Sequence, residues 1–177
     1  VTHPLQGKPE SKDSVFLLPE FSLTNSKFSL SLNKKNMAFY LIPYLNFDGQ
    51  AEVAFDLYQK AFSGTIQIKQ KFGDTPYGEH LSEEEKNRIM HIAMEIAPGY
   101  SLMASDILPS NGQKIELGNN THISLNATNE AEAQSWFELL SEGGVVEMPL
   151  QKTDWGALFA IFTDRYHIKW MINYDFE

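Results

Sequence analysis

Two stretches of this chain follow the same order of secondary-structure signals, and this internal duplication constrains the fold more than any other feature. The second copy, Thr121 to Asn173, opens with an apolar strand (Thr121 to Ala127). It continues as an amphipathic helix from Asn129 to Ser141, breaks at Gly143-Gly144 and ends in three strand-like runs. The first copy occupies Phe39 to Ser105. In each half a helix with one apolar stripe covers one face of the sheet its strands form, and the opposite face is left over. Two such halves predict an α+β fold of two modules, each a strand, a helix and three strands, with a pocket enclosed between them.

In the first half, Phe39 to Phe47 is rich in aromatic and branched side chains, which suit a strand, and Pro43, with no N–H to donate, puts that strand at an edge or interrupts it there. Asp48-Gly49 turns the chain into a helix with the stripe Ala51, Ala54, Phe55, Tyr58 and Phe62, closed by Gly64 as a C-terminal glycine. Thr65 to Phe72 alternates as a strand with one wet face. Gly73 to Asn87 is a long polar loop in which Ser82 and Glu85 fit a capping box, with Glu83 to Glu85 read as solvated. Arg88 to Ile96 places His91, Ala93 and Glu95 on one face and Ile92, Met94 and Ile96 on the other. After Pro98-Gly99 comes the strand Tyr100 to Ser105, and Asp106 to Asn120 reads as a polar surface linker. The second helix has the stripe Ala133, Trp136, Phe137 and Leu140, followed by strands at Val145 to Leu150, Trp155 to Phe162 and Ile168 to Ile172.

Composition narrows the function classes. A chain of 177 residues that is 42% hydrophobic buries a core of its own, and the absence of cysteine excludes disulfides, thiolate metal sites and cysteine nucleophiles. The formal charge of −9 opposes binding to nucleic acid or to anionic membrane surfaces. No apolar run reaches membrane-spanning length, and the expected location is cytoplasmic. Residues 1–36 differ in kind: Pro4, Pro9 and Pro19 stand among many Ser, Asn and Lys residues, with five lysines against three acids. They read as an N-terminal extension or as an arm that packs on the domain or on a second subunit, with the domain itself spanning 37–177. No P-loop, Gly-x-Gly-x-x-Gly, Gly-x-Ser-x-Gly or His-Glu-x-x-His is present, which removes the usual signals for nucleotide, serine-hydrolase and zinc-protease chemistry. His91 and Glu95, with His122, are the acid–base candidates, while His80 and His167 fall in polar, exposed segments.

The duplicated order resembles the glyoxalase and bleomycin-resistance superfamily, the vicinal oxygen chelate fold. The resemblance is carried by Ile42-Pro43-Tyr44-Leu45, Phe55-Asp56-Leu57-Tyr58, Met103-Ala104-Ser105-Asp106 and Thr163-Asp164-Arg165-Tyr166. Trp136-Phe137, Gly143 with Glu147-Met148, and Asp164-Arg165-Tyr166 through Trp170-Met171-Ile172-Asn173 are similar to its PhnB-like branch. The resemblance covers about Phe39 to Asp175 and implies two βαβββ modules forming a curved mixed sheet around a cavity, commonly as a homodimer. Metal-using members hold a divalent ion on the first and last strands of each module, positions that fall near Pro43, Met103, His122 and Met171. One imidazole beside a proline and two thioethers does not make a divalent site, which takes three or more His or carboxylate groups within about 2 Å of the ion. No metal and no cofactor are therefore expected.

The concave face is instead expected to be aromatic and soft, with Met103, Trp155, Phe159, Phe72 and Trp170 as lining residues and His91, His122 and Ser124 as its polar points. The competing possibility is that each of these simply fills the core between modules. Two functions stay open: metal-independent binding of a small organic molecule, or a lyase or dioxygenase-type reaction through an atypical metal or acid–base site. PhnB-like chains are sometimes labelled methyltransferases, but no glycine-rich site for a methyl-donor nucleotide is present.

Overall fold

Each half of the chain folds as a strand, a helix and three antiparallel strands, because the apolar stripe of each helix has only one sheet face to cover. The computed structural model describes residues 41–176. The N-terminal extension or arm of residues 1–36, and the start of the first strand at Phe39, lie outside the described residues. The first module contains β1 (Tyr44–Phe47), α1 (Ala51–Phe62), β2 (Thr65–Lys71), a short α2 (Glu83–Lys86), β3 (Ile89–Ala97) and β4 (Tyr100–Asp106). The second contains β5 (Ile123–Asn126), α3 (Glu130–Ser141), β6 (Val145–Lys152), β7 (Ala157–Thr163) and β8 (Lys169–Asp175). Sheet A has the order β1-β4-β3-β2 and sheet B the order β5-β8-β7-β6, with β1 parallel to β4 and β5 parallel to β8. The two sheets share one topology, as duplication requires.

Pro43 sits just before the edge strand β1, where its carbonyl accepts from the Met103 N–H and its missing donor costs nothing. Ala51, Ala54, Phe55 and Tyr58 of α1 are buried as their spacing predicts, and Ala133 and Leu140 are the buried residues of α3. Asn129 caps α3 by accepting from the Glu132 N–H at 2.9 Å, while the Glu132 carboxylate accepts from the Thr128 N–H. The capping box at Ser82 and Glu85 is also present. Glu85, however, is buried rather than solvated, because its other carboxylate oxygen accepts from the Ser110 N–H and ties the long loop to the segment after β4.

Three further expectations change. Helix α1 ends on Ser63, which takes the left-handed conformation with φ 52°; Gly64 is needed instead for space, since a Cβ there would meet the Glu95 carbonyl at 2.9 Å. The presumed linker begins with a structural residue. Asp106 is buried; its Oδ1 accepts from the Ala51 N–H at 3.0 Å and its Oδ2 from the Ile89 N–H at 2.7 Å, so it starts both α1 and β3. Burial pushes its carboxyl above the ordinary range even though those N–H groups favour the charged form. Finally, the sheet is not closed around a cavity: two separate sheets turn their helix-bearing faces toward one shared core.

That core runs from Phe47, Ile92, Met94 and Leu102 through the helices to Phe162, Trp170 and Ile172. Contacts between modules pass through α1 and α3. Phe62 of α1 packs edge-on against Trp136 and at a tilt on Trp170, and Tyr58 donates to Asp164 Oδ2 at 2.7 Å. Asp164 is 2% exposed and also accepts from Trp170 Nε1 and from the N–H groups of Tyr166 and Ile168. Burial and the adjacent carboxylate raise the Tyr58 phenol well above its ordinary value, which keeps it a donor. Tyr58→Phe is expected to lower stability by about 1.5–3 kcal/mol, the range for a hydrogen bond to a charged group. Urea denaturation measures it, and a loss below about 0.5 kcal/mol would remove this bond from the junction between modules.

Candidate functional site

With the helices between them, the two sheets present their remaining faces outward, and the strand registers decide which side chains those faces carry. Across sheet A, Tyr44 lies opposite Met103, Met103 opposite Ala93 and Ala93 opposite Ile68. Across sheet B the equivalent row is Ser124, Met171, Ile161 and Met148. Alternation places the neighbours on either side of these residues toward the helices. The duplication therefore extends to the register: Tyr44 corresponds to Ser124, and Met103 to Met171.

This register corrects two of the positions implied by the family resemblance. Pro43 is one residue out of phase with the outward row, where Tyr44 stands, and His122 lies two residues before Ser124 on the same face. The positions that face one another in each module are thus a phenol and a thioether, and a hydroxyl and a thioether. That donor set does not fit a divalent ion held by imidazole and carboxylate. Among the described residues, no three His, Asp or Glu side chains are grouped to hold one.

On sheet A, the Tyr44 ring reaches over β4 to stack on His91, with centroids 5.9 Å apart and planes 14° from parallel, and its hydroxyl lies 3.3 Å from His91 Nδ1. Burial lowers the His91 pKa, so the neutral imidazole is favoured there. Glu95 shares that face as expected but is engaged elsewhere, with Gln67 Nε2 and the Gly99 N–H each 3.4 Å away. The acid–base pair of His91 and Glu95 is not assembled; the partner of His91 is Tyr44.

On sheet B, Lys169 Nζ donates to Glu147 Oε1 at 2.7 Å and to Thr163 Oγ1 at 3.1 Å. The hydrogen bond from Lys169, and after it one from the Thr163 hydroxyl at 3.1 Å, hold the Glu147 carboxyl below its ordinary range. His122 is half-buried, and its Nε2 is shielded from water with no hydrogen-bond partner among the described residues.

The remaining expected lining residues separate. Met103 and Phe159 are half-buried on the outward faces, and Ser124 is exposed there. Trp155 is 67% exposed in the turn from Thr153 to Gly156 that precedes β7, edge-on to Phe159. Trp170 is a correction: it is 0% exposed on the helix side of β8, tied to Asp164, and belongs to the core. Phe72 is also buried, against Tyr77 of the long loop. His80 and His167 are exposed, as expected. Tyr44, Lys169, Thr163 and Glu147 were missed by the sequence reading. Period-two alternation from Met171 and from Phe159 would have found Lys169 and Thr163, and the duplication that matches Tyr44 to Ser124 would have found Tyr44, whereas Glu147 sits at a register shift between Val146 and Met148 that alternation does not cross.

A cleft of about 280 Å³ opens elsewhere, between the end of β1 and the turn Tyr166–Ile168, with Ile115 and Leu117 on its wall. It contains none of the expected ligand-binding residues.

The family model of the Glyoxalase/Bleomycin resistance protein/Dioxygenase superfamily matches residues 42–172. The chain belongs to that superfamily. Among its relatives, this superfamily member is 32% identical to Protein YjdN of Escherichia coli over 141 residues, which cover 75% of this chain and 93% of YjdN. The crystal structure of PA1353 from Pseudomonas aeruginosa is 37% identical, covers 78% of this chain and 98% of that one, and superimposes with a TM-score of 0.70. A PhnB protein from Bacillus cereus, 18% identical over 76% of this chain and 98% of its own, shares the fold with a TM-score of 0.63. The superfamily assignment and the α+β architecture therefore agree with the resemblance read from the residues. No helix of the described residues is long and apolar enough to cross a membrane.

The His91 ring gives a test of this geometry. Because its folded pKa is depressed below about 6.5, the neutral form stabilises the fold fully above that pH, and the contribution is lost as pH falls toward the folded value. An NMR titration of its ring proton is expected to give a midpoint below 6.5, moving up in Tyr44→Ala as the ring gains water; a midpoint at or above 6.5 in the wild type contradicts the burial.

Proposed function

We propose that this superfamily member binds a small organic molecule, without a metal, on the outward faces of its sheets. The observation that carries the reading is the register: the positions brought opposite one another are Tyr44 with Met103 and Ser124 with Met171. Such side chains offer soft apolar surface and a few polar points, the usual make-up of a small-molecule site, and lack the ligands an ion requires.

Because the helices occupy the space between sheets within one chain, a cavity walled by both kinds of face needs a second copy. The functional unit on this reading is a homodimer in which outward faces meet, with a cytoplasmic location and no nucleic-acid or membrane partner. The sequence charge of −9 supports the last point. The alternative of a lyase or dioxygenase with an atypical site predicts turnover, for instance of hemithioacetals, that survives thorough chelation or depends on a tightly held ion.

Protein purified without chelator is expected to carry far less than one divalent ion per chain and to keep its Tm in EDTA. A stoichiometric ion whose removal lowers Tm counts against the reading. In a ligand screen by thermal shift, a compound at about a hundred times its Kd adds about 2.7 kcal/mol of stability. Light scattering is expected to give a dimer that Met171→Arg converts to a folded monomer; a monomeric wild type, or a variant that stays dimeric, argues against pairing through these faces.

A further inference from the structure

The outward face of sheet B carries a polar corner that neither the apolar row nor the core uses. His122 stands one residue before β5, Lys169 opens β8, Thr163 closes β7 and Glu147 lies at the register shift of β6. Three of the four satisfy one another. Lys169 donates to Glu147 Oε1 at 2.7 Å and to Thr163 Oγ1 at 3.1 Å, and the Thr163 hydroxyl donates to Glu147 Oε1 at 3.1 Å. The ammonium and the carboxylate cancel, so this group has hydrogen-bonding capacity without net charge.

His122 is the exception. Its Nε2 is shielded from water yet has no partner among the described residues, although buried ring nitrogens as a rule have one. The residue as a whole is only half-buried, and alternation continued back from Ser124 puts it on the same outward face. An unfilled hydrogen-bonding position beside a closed ion pair selects for a particular kind of guest. Neither charge of the closed pair is free for a guest, whereas a neutral polar group needs only the imidazole.

We propose that His122 Nε2 is the anchor for an uncharged carbonyl or hydroxyl group of the ligand, whose apolar body rests on Met171, Ile161 and Phe159. Lys169, held by Glu147 and Thr163, is a positioning residue that keeps the corner neutral. This rests on the reading of the outward faces as the ligand site and adds the chemistry of the ligand's polar end.

Four probes of similar size test it on the full chain: toluene, benzamide, benzoate and benzylammonium, titrated while the methionine methyl and histidine ring signals are followed by NMR. Benzamide is expected to bind roughly tenfold more tightly than toluene, as one added hydrogen bond at a partly dry site allows, and to shift the His122 ring. In His122→Phe that advantage disappears while toluene still binds, and His122→Gln restores part of it. Should His122→Phe fail to fold, His122→Ala reads the same difference. The proposal is overturned if either charged probe binds more tightly than benzamide, or if the benzamide advantage survives without His122. If all four probes move the Met171 methyl with equal affinity, the polar assignment fails and the ligand face stands. If none moves the Met103 or Met171 methyls, the ligand face itself fails and the proposal with it.

Discussion

The junction between the two modules depends on one carboxylate kept almost wholly from water. A charge at the position of Asp164 is tolerable only if its lone pairs are satisfied, and they are, by a phenol, an indole and two backbone N–H groups. The phenol comes from α1 of the first module; the other three donors come from the second. Removing any donor leaves the charge less compensated than an apolar replacement of the whole group would. The relative placement of α1 and sheet B is therefore specified by chemistry as well as by packing around Phe62, Trp136 and Trp170.

This placement accounts for where the chemistry of the chain can lie. Large apolar side chains such as Phe55, Phe162 and Trp170 are spent on the shared core, leaving the outward faces with Met103, Met171, Ile161 and Phe159 and a small set of polar groups. Methionine adapts its shape to what it touches, which suits a surface that closes around a guest or a second subunit. The polar groups divide by sheet: a neutral stacked pair of Tyr44 and His91 on one, and a charge-balanced corner on the other.

Much of the fold was legible because duplication doubled each signal. The alternation of His91, Ala93 and Glu95 against Ile92 and Met94, the stripes of both helices and the edge position of Pro43 all follow from periodicity and from what each residue can donate. The face assignments were weaker for identifiable reasons. Trp170 looked like a lining residue by type, but its phase in β8 and its N–H bond to Asp164 turn it inward. Trp155 was read into a strand that starts only at Ala157. Asp106 and Glu85 were read as solvent-facing because their partners, the Ala51, Ile89 and Ser110 N–H groups, are distant in sequence and carry no side-chain signal. The place of a cavity was not legible because periodicity assigns each residue to a face but says nothing about which faces of two modules meet.

The strict alternation along β4, β5, β7 and β8 has a consequence for how such a scaffold changes over generations. Every second residue is committed to holding the helices, and the residues between them lie outside the shared core. Selection can therefore rewrite the exposed set, swapping thioether for imidazole or hydroxyl for carboxylate, while the inherited architecture is left undisturbed. A lineage built on this plan can diversify its chemistry one strand position at a time.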